Sequence, residues 1–373
     1  MRRLYFFLLA SILASIPAHA ERWKLQYFYD TDEDSLRIVD LKFPSAQRGI
    51  AAGMLVDSKD GDKQKSVVLV TSDGGDTWST VEVKDNPQSL FFLDDSTGWM
   101  VTNRGLQYTE ESGRSWKKMK APKNLLRVYF LDRLHGFGVG THKEAYRTVD
   151  GGEHWEDLPA AAEVASSEDY TVYEWIDFAN PKIGAIVGWS RPPRRGGWRD
   201  QLPAWVDPET AATRPQWPTM SILLETHDAG VTWQPSSASI FGRIAKMRMS
   251  PGGAGLGLVM FDDWFEYPSE VSFVDWRTGK SQRTFREKNR RITDVAIAGS
   301  SGPFYIAGHE SRGKLNALPI PDRVHVLTSP DGKGWKEMKV DYRATANNVI
   351  LAATGSGQVW AATDTGMILK LVP

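Results

Sequence analysis

One stretch of the sequence concentrates the residue types best suited to grip another molecule. Between positions 190 and 220, arginines and tryptophans alternate with six prolines. The candidate partner-binding residues are Arg191, Arg194, Arg195, Trp198, Arg199 and Trp205. Arginine forms charge-assisted hydrogen bonds with carboxylates, and arginine and tryptophan are enriched at interface hot spots. The segment therefore predicts a partner-binding loop, and a merely solvated loop is the competing interpretation.

A second set of polar residues recurs where apolar runs end. The first example, Thr71 to Trp78, reads Thr-Ser-Asp-Gly-Gly-Asp-Thr-Trp, and related stretches begin at Thr109, Thr148, Thr226 and Thr328. A short carboxylate accepts hydrogen bonds from nearby backbone N–H groups, glycine tolerates positive φ, and tryptophan offers a large apolar surface. We name these stretches the Asp turns and predict a structural role for Asp73, Trp78, Trp116, Asp150, Trp155, Asp228, Trp233 and Trp335.

The sequence gives little indication of catalysis, metal binding or nucleic-acid binding. The chain has no cysteine, which excludes disulfides, thiol nucleophiles and thiolate metal sites. Its seven histidines are scattered, and the acidic loop from Asp57 to Asp62 departs from the calcium-loop pattern because Lys59 takes a ligand position. We therefore expect no catalytic residue, metal or cofactor. The net charge of −1 gives no indication of nucleic-acid binding.

The Asp turns require a repeating β unit to position them. The third residues of four turns lie at 73, 111, 150 and 228, so the intervals are 38, 39 and 78 residues. Aligned on the turns, each unit reads as four short strands, with the turn between the third and the fourth. Seven units result, and the last lacks a fourth strand.

The missing strand is present at the other end of the chain. Residues Arg22 to Gln26 resemble the outer strands that follow Trp116 and Trp335. We therefore predict an all-β fold, a seven-bladed β-propeller of four-stranded antiparallel blades closed by the mature N-terminal strand. An open solenoid is the alternative, which the split last unit disfavours.

Long insertions in the units all fall between the second and third strands, at 57–65, 190–220, 262–269 and 310–323. These loops leave the propeller on the face opposite the Asp turns, mostly over units four to six. Because loops on a rigid scaffold usually carry function, we predict that this face binds the partner. The acidic and aromatic loop from Asp262 to Tyr267 is a candidate to dock against the basic insertion, which would make part of the pattern structural.

The first twenty residues have the features of a signal peptide. Arg2 and Arg3 form its basic end, Leu4 to Ile16 its apolar core, and Ala18-His19-Ala20 its cleavage site. The core is too short for a membrane anchor, although a retained anchor remains the alternative. We predict a signal peptide at 1–20 and a single propeller at 21–373, periplasmic or secreted, monomeric and without a membrane span after cleavage.

The Asp turn resembles the Asp-box, or BNR, repeat of β-propellers. A closer resemblance, over nearly the whole mature chain, is to the photosystem II assembly and stability factor family and its relatives in non-photosynthetic bacteria. The recurring Asp-Gly-Gly-x-x-Trp turn and the Phe-x-Asp…Gly-x-x-Val-Gly strand pair from Phe130 to Gly140 carry it. The resemblance implies a non-enzymatic scaffold that binds an exported or membrane-attached protein.

The alternative function is that of a glycoside hydrolase, because sialidases share the Asp-box fold. Those enzymes clamp a sugar carboxylate with arginines and use a tyrosine nucleophile. Only Arg37, in Leu36-Arg37-Ile38, matches the position of a sialidase arginine, and Tyr342 is a conceivable nucleophile without an assignable partner glutamate. The resemblance to sialidases implies the fold and carries no reaction with it.

Overall fold

Short runs of β-branched and aromatic residues, bounded by glycine and aspartate, form the strands of the protein. The computed structural model describes residues 21–191, 209, 218–262, 265–310, 322–340 and 344–373. In these residues the strands group into seven four-stranded antiparallel sheets. The all-β, seven-bladed architecture predicted from the repeats is thus confirmed.

The first three blades are formed in chain order after the N-terminal strand. Blade 1 contains β2(Asp34–Lys42), β3(Gly49–Asp57), β4(Gln64–Thr71) and β5(Ser79–Val83). Blade 2 contains β6(Pro87–Phe92), β7(Gly98–Thr102), β8(Gly105–Thr109) and β9(Lys117–Lys118). Blade 3 contains β10(Leu125–Phe130), β11(Gly136–Gly140), β12(Ala145–Thr148) and β13(Glu156–Asp157).

The next three blades follow the same order. Blade 4 contains β14(Thr171–Phe178), β15(Gly184–Ser190), β16(Thr219–Thr226) and β17(Gln234–Ile240). Blade 5 contains β18(Arg243–Met249), β19(Ala254–Met260), β20(Ser269–Asp275) and β21(Lys280–Phe285). Blade 6 contains β22(Arg290–Ile297), β23(Phe304–Glu310), β24(Val324–Ser329) and β25(Lys336–Met338).

Blade 7 joins the two ends of the described chain. It contains β26(Val349–Ala353), β27(Val359–Thr363), β28(Met367–Val372) and, as its outer strand, β1(Arg22–Phe28). Strand β1 pairs antiparallel with β28, with Trp23 opposite Leu371. The innermost strand of each blade contacts that of the next, and β26 contacts β2, so the ring closes. The predicted closure by the N-terminal strand is confirmed.

The core lies between neighbouring blades, where each sheet packs on the next. Trp23 is 6% exposed and packs with side chains of blades 6 and 7, including Tyr305 and Val349. Trp78 packs in the same way between blades 7 and 1, against a cluster that includes Trp360. The tryptophan of the outer strand therefore acts as an apolar wedge between blades.

One connection contains helical structure that the strand pattern did not predict. Between blades 3 and 4 lie a short helix, α1(Pro159–Glu163), and a 3-10 turn, Glu168–Tyr170. Pro159 stands at the first helical position, where its missing N–H is not needed, and two alanines of the helix are buried. The side chain of Lys143 donates to the carbonyl oxygens of Ala162, in the last turn of the helix, and of Val164 and Ser166 just beyond it. No helix among the described residues is long and apolar enough to cross a membrane.

The Asp turns lie between the third and fourth strands of their blades. In the first, Asp73 accepts hydrogen bonds from the backbone N–H of Thr77 at 2.9 Å and from its hydroxyl at 2.6 Å. The indole N–H of Trp78 donates to the carbonyl oxygen of Gly75 at 3.1 Å. Asp150 and Asp228 accept the corresponding backbone N–H in their own turns. The aspartate and the tryptophan thus close each of these three turns from two sides.

The Asp turn of blade 6 is different because its aspartate comes one residue later. Asp331 accepts hydrogen bonds from the backbone N–H groups of Lys333 and Gly334. The indole N–H of Trp335 then donates to the hydroxyl of Thr284 in blade 5, at 3.2 Å, instead of to a carbonyl oxygen of its own turn. In this blade the tryptophan therefore makes a hydrogen bond between blades in place of the hydrogen bond within the turn.

Candidate functional site

A central channel runs along the ring axis and is lined by the innermost strands. In blades 1 to 6 each of these strands has one irregularity of register. The residues that follow the irregularity line the channel cavities, and they are Asp40, Ser89, Arg127, Trp175, Lys246 and Asp294. A β-bulge adds one residue to a strand and re-aims the side chains after it. Bulges thereby bring charged and polar residues to the axis.

Three of the channel carboxylates link neighbouring blades. Asp40 accepts a hydrogen bond from the backbone N–H of Leu90 in blade 2 at 2.8 Å. Asp177 accepts one from Met249 in blade 5 at 2.9 Å, and Asp294 accepts one from Leu351 in blade 7 at 3.0 Å. Each carboxylate satisfies a backbone donor across a blade boundary, so these acids have a structural role.

Two cavities lie along the channel, and Trp175, Arg127 and Arg248 line both of them. Three cations surround the Trp175 ring, with Arg127 at 3.9 Å, Arg248 at 4.8 Å and Lys246 at 5.1 Å from the ring centroid. Aromatic faces attract cations, and the attraction is stronger where water is partly excluded. The loop-side cavity extends toward Arg243 and Asn347. The turn-side cavity extends toward Phe43 and Pro44, beside the Asp turns.

The buried charges of the channel perturb one another. Burial by itself would raise the pKa of Asp40, but the positive charges of Lys42 and Arg127 lower it. Burial lowers the pKa of Lys42 to about 8, and Asp40 only partly opposes this. Burial raises the pKa of Asp177 in spite of nearby Arg248. Burying these charged groups in the channel therefore costs free energy. Such burial is common at functional sites and also occurs in structural networks.

The mouth of the loop-side cavity holds a connected group of polar and aromatic side chains. The indole N–H of Trp189 donates to Glu174 at 2.7 Å, and Arg243 donates to the same carboxylate at 3.2 Å. Arg243 also lies 6.0 Å from the centroid of the Trp189 ring. Glu174 is thus shared between blades 4 and 5 and fixes both partners at the channel entrance.

Of the residues predicted to bind the partner, the described part of the chain includes only Arg191. Its side chain forms an ion pair with Asp262 and donates to the hydroxyl of Thr219 at 2.9 Å. Thr219 begins the strand after the insertion, and Asp262 follows β19 of blade 5. Arg191 therefore fixes the base of the insertion to the neighbouring blade, as expected if the acidic loop docks against the basic one. The other candidates, Arg194, Arg195, Trp198, Arg199 and Trp205, lie outside the described residues.

Blade 6 contributes a histidine and carboxylate cluster to the loop face. His325 is 4% exposed, and its Nδ1 lies 2.6 Å from Glu337. Arg290 donates to Glu337 at 2.8 Å. Burial would raise the pKa of Glu337, but the hydrogen bond with His325 and the charge of Arg290 lower it. The cluster ties strands β22, β24 and β25 together where they meet the loop face.

The residues that a sialidase-like site would use are not brought together in the described structure. Arg37 is exposed on β2 and lines neither channel cavity. Tyr342 lies outside the described residues. Among the residues that are described, no group of three histidines or acids is arranged to hold a metal ion.

The ring of seven four-stranded blades defines the class of the protein as a seven-bladed β-propeller with a charged channel. No family model matches the chain. In sequence it is 22% identical over 274 residues to the photosystem II assembly lipoprotein Ycf48 of Synechococcus sp. (strain CC9902), covering 69% of this chain and 76% of that protein. The resemblance to the photosystem II assembly factors, predicted from the turns and strand pairs, is confirmed.

Solved structures of two kinds share the fold. One is YCF48 bound to a D1 peptide, with a TM-score of 0.58, 16% identity, and coverage of 94% of this chain and 97% of that one. Another is the GH74 xyloglucanase from Xanthomonas campestris, with a TM-score of 0.59, 12% identity, and coverage of 94% and 53%. At these identities the likeness concerns the fold alone, because propellers serve as enzymes and as binding proteins.

Proposed function

We propose that this protein is an exported, non-enzymatic scaffold that binds a protein partner through its loop face. The observation that carries the proposal is the sequence similarity to an assembly lipoprotein over 69% of the chain. A structure of a protein of that kind is described as bound to a D1 peptide, which supports a polypeptide as the partner class here. Export is supported by the signal-peptide features of residues 1–20.

The architecture supports the loop face as the binding surface. The longest insertion begins and ends there, and Arg191 fixes its base through Thr219 and Asp262. Beside that base lie the Glu174 and Arg243 pair of the channel mouth. Binding groups attached to a preorganised base lose less entropy on association. The opposite face consists of tight turns whose polar groups are largely engaged within the turns themselves.

The arginines of the insertion define the chemistry of the partner. Arg194, Arg195 and Arg199 add three positive charges within six residues. Such a cluster steers acidic surfaces and forms charge-assisted hydrogen bonds with carboxylates. The partner is therefore an exported or membrane-attached protein that presents acidic residues, and binding weakens as the salt concentration rises.

The decisive experiment captures partners by crosslinking from the compartment to which the protein is exported. The test variant changes Arg194, Arg195 and Arg199 to alanine. The matched control changes Arg114, Arg133 and Arg277 to alanine, which removes the same charge from the Asp-turn face. We expect the test variant to fold and to bind the captured partner with a loss above about 2 kcal/mol, as for hot-spot residues, and the control to bind normally.

Three outcomes would contradict the proposal. Equal binding by both triple variants would remove the loop face from the interface. Turnover of a fluorogenic sialoside or of another glycoside, abolished by Arg37→Ala or Tyr342→Phe, would replace the scaffold with an enzyme. Retention of the full-length protein in the cytoplasm of its host would contradict the exported location.

A further inference from the structure

The turn-side cavity of the channel has the features of a binding site separate from the loop face. It has a volume of about 250 Å³ and shares Arg127, Trp175 and Arg248 with the loop-side cavity. Its lining includes apolar residues of three blades, namely Leu90, Phe91, Met249 and Leu351. Its charged residues are Lys42, Arg127, Arg248 and Asp177. A concave cavity that combines apolar residues with convergent polar groups is a common form of small-molecule site.

Arg248 is the cation of this cavity that the protein leaves without an acceptor. Within the described residues its guanidinium has a contact with the Trp175 ring at 4.8 Å and no hydrogen bond or ion pair. Arg127, in contrast, lies 3.7 Å from Asp40. A guanidinium has five N–H donors and no acceptor. The N–H groups of Arg248 are thus available to donate hydrogen bonds to a molecule bound in the cavity.

The carboxylates near Arg248 are already engaged by other donors. Asp40 accepts hydrogen bonds from the backbone N–H groups of Leu41 and Leu90 and from Lys42. Asp177 accepts the backbone N–H of Met249, and burial raises its pKa, which disfavours its negative charge. Three cations therefore stand near two carboxylates that already accept hydrogen bonds from neighbouring blades, so the cavity carries an excess of positive charge.

The protonation of Lys42 supports the same interpretation. Burial lowers its pKa to about 8; the charges of Arg248 and Arg127 lower it as well, and Asp40 opposes the shift. The other titratable group that faces the cavity is Tyr129, whose pKa is raised by burial and by Asp177. A bound anion would relieve the repulsion among Lys42, Arg127 and Arg248 and would favour the charged lysine.

We propose that the turn-side cavity binds a small organic carboxylate. Its anionic group contacts Arg248 and Lys42, and its apolar part lies against Leu90, Phe91 and Met249. The apolar residues within this mixed lining favour an organic acid over a bare inorganic anion. The volume, below the roughly 300–1,000 Å³ of pockets for drug-sized ligands, restricts the guest to a small molecule. This site is independent of the partner-binding function, because it lies toward the opposite face.

The first test measures three probes on the wild-type protein by titration calorimetry. Benzoate carries both the charge and the apolar ring, benzamide lacks the charge, and sulfate lacks the apolar part. We expect saturable binding of benzoate, at least tenfold tighter than binding of benzamide or sulfate. Absence of saturable benzoate binding, equal binding of benzamide, or tighter binding of sulfate would each overturn the proposal. This test requires no variant to fold.

The second test locates the site with Arg248→Gln, after thermal unfolding confirms that the variant is folded. The matched control is Arg277→Gln, which removes an equal charge from an exposed turn of the same blade. We expect benzoate binding to weaken at least tenfold in the first variant and to remain unchanged in the control. Unchanged binding in a folded Arg248→Gln protein would place the guest elsewhere and overturn the proposal.

The pH dependence gives a further readout that a merely structural arginine would not move. Because the anion favours protonated Lys42, benzoate affinity should fall as the pH rises from 7 through about 8. Lys42→Met should flatten this profile, whereas Lys63→Met, in the outer loop of blade 1, should leave it unchanged. A profile that stays flat in the wild-type protein would exclude Lys42 from the site.

Discussion

The indole N–H of Trp360 in blade 7 donates a hydrogen bond of 3.1 Å to the carbonyl oxygen of Gly74 in blade 1. Trp360 is fully buried and stacks on Phe43 of blade 1, with ring centroids 3.6 Å apart. The first blade therefore contacts the last blade through the carbonyl oxygen of its Asp turn and through Phe43. Closure of the ring depends on this contact as well as on the pairing of β1 with β28.

The first prediction concerns closure by the N-terminal strand. Trp23→Ala removes a buried side chain from between blades 6 and 7, so the free energy of unfolding should fall by about 3–5 kcal/mol. Leu25→Ala is the control, because Leu25 lies on the same strand and is 38% exposed. Denaturant unfolding measures both variants. A loss for Trp23→Ala no greater than that of the control would mean that β1 contributes little to closure.

The second prediction concerns the acid stability of the Asp turns. Hydrogen bonds from the side chain and backbone of Thr77 lower the pKa of Asp73 to about 2. In the unfolded chain an aspartate has a pKa of about 3.9. The stabilisation by ionised Asp73 is therefore complete above the unfolded value and is lost as the pH falls through the folded value.

Asp73→Asn removes this stabilisation, so thermal midpoints should separate the variant from the wild-type protein near neutral pH. The separation should narrow as the pH falls below about 4. Asp62→Asn, in an exposed loop of the same blade, should follow the wild-type curve throughout. A separation for Asp73→Asn that stays constant with pH would show that the turn does not depend on the charge.

The third prediction concerns the ion pair in the channel. Asp294 is 1% exposed, and the Nζ of Lys246 lies 3.0 Å from its Oδ1. Lys246→Met leaves a buried carboxylate without its cation and should lower the free energy of unfolding by about 3–5 kcal/mol. Lys63→Met, which breaks an exposed pair with Asp60, should change it by less than about 1 kcal/mol. A double-mutant cycle with Asp294→Asn measures the coupling, and additive losses would contradict it.

Much of the fold could be predicted because the same turn residues recur in most of the repeating units. Asp73 and Trp78 recur at a near-constant interval, and each recurrence fixes where one strand ends and the next begins. The partner strand of β28 could be found because Trp23 and Lys24 repeat the start of an outer strand. The helix at Pro159–Glu163 could not, because it lies in a connection that no other unit repeats.

The channel residues were not predicted, for a physical reason. A β-bulge changes which face of the strand a residue occupies, and simple alternation then assigns the side chains to the wrong face. Asp294 and Arg127 therefore read as isolated polar residues in apolar strands. A usable signal was present, since the aligned inner strands of blades 1 to 6 each carry a polar or aromatic residue at the same position. The contacts of Arg191 with Thr219 and Asp262 required tertiary structure, because Asp262 belongs to the next blade.

The bulges themselves lead to the last prediction. Opposite the bulge of blade 6, Gly308 lies so close to the neighbouring strand that an added Cβ would be 1.8 Å from the carbonyl oxygen of Arg291. Gly308→Ala must therefore push the two strands apart, and the free energy of unfolding should fall by about 1–3 kcal/mol. Gly257 in blade 5 is the control, because a Cβ there would meet nothing within 4 Å. Gly257→Ala should be neutral or slightly stabilising, since it restricts the unfolded chain. Equal stability of the two variants would mean that the inner strand of blade 6 yields freely and that its bulge does not hold Asp294 in place.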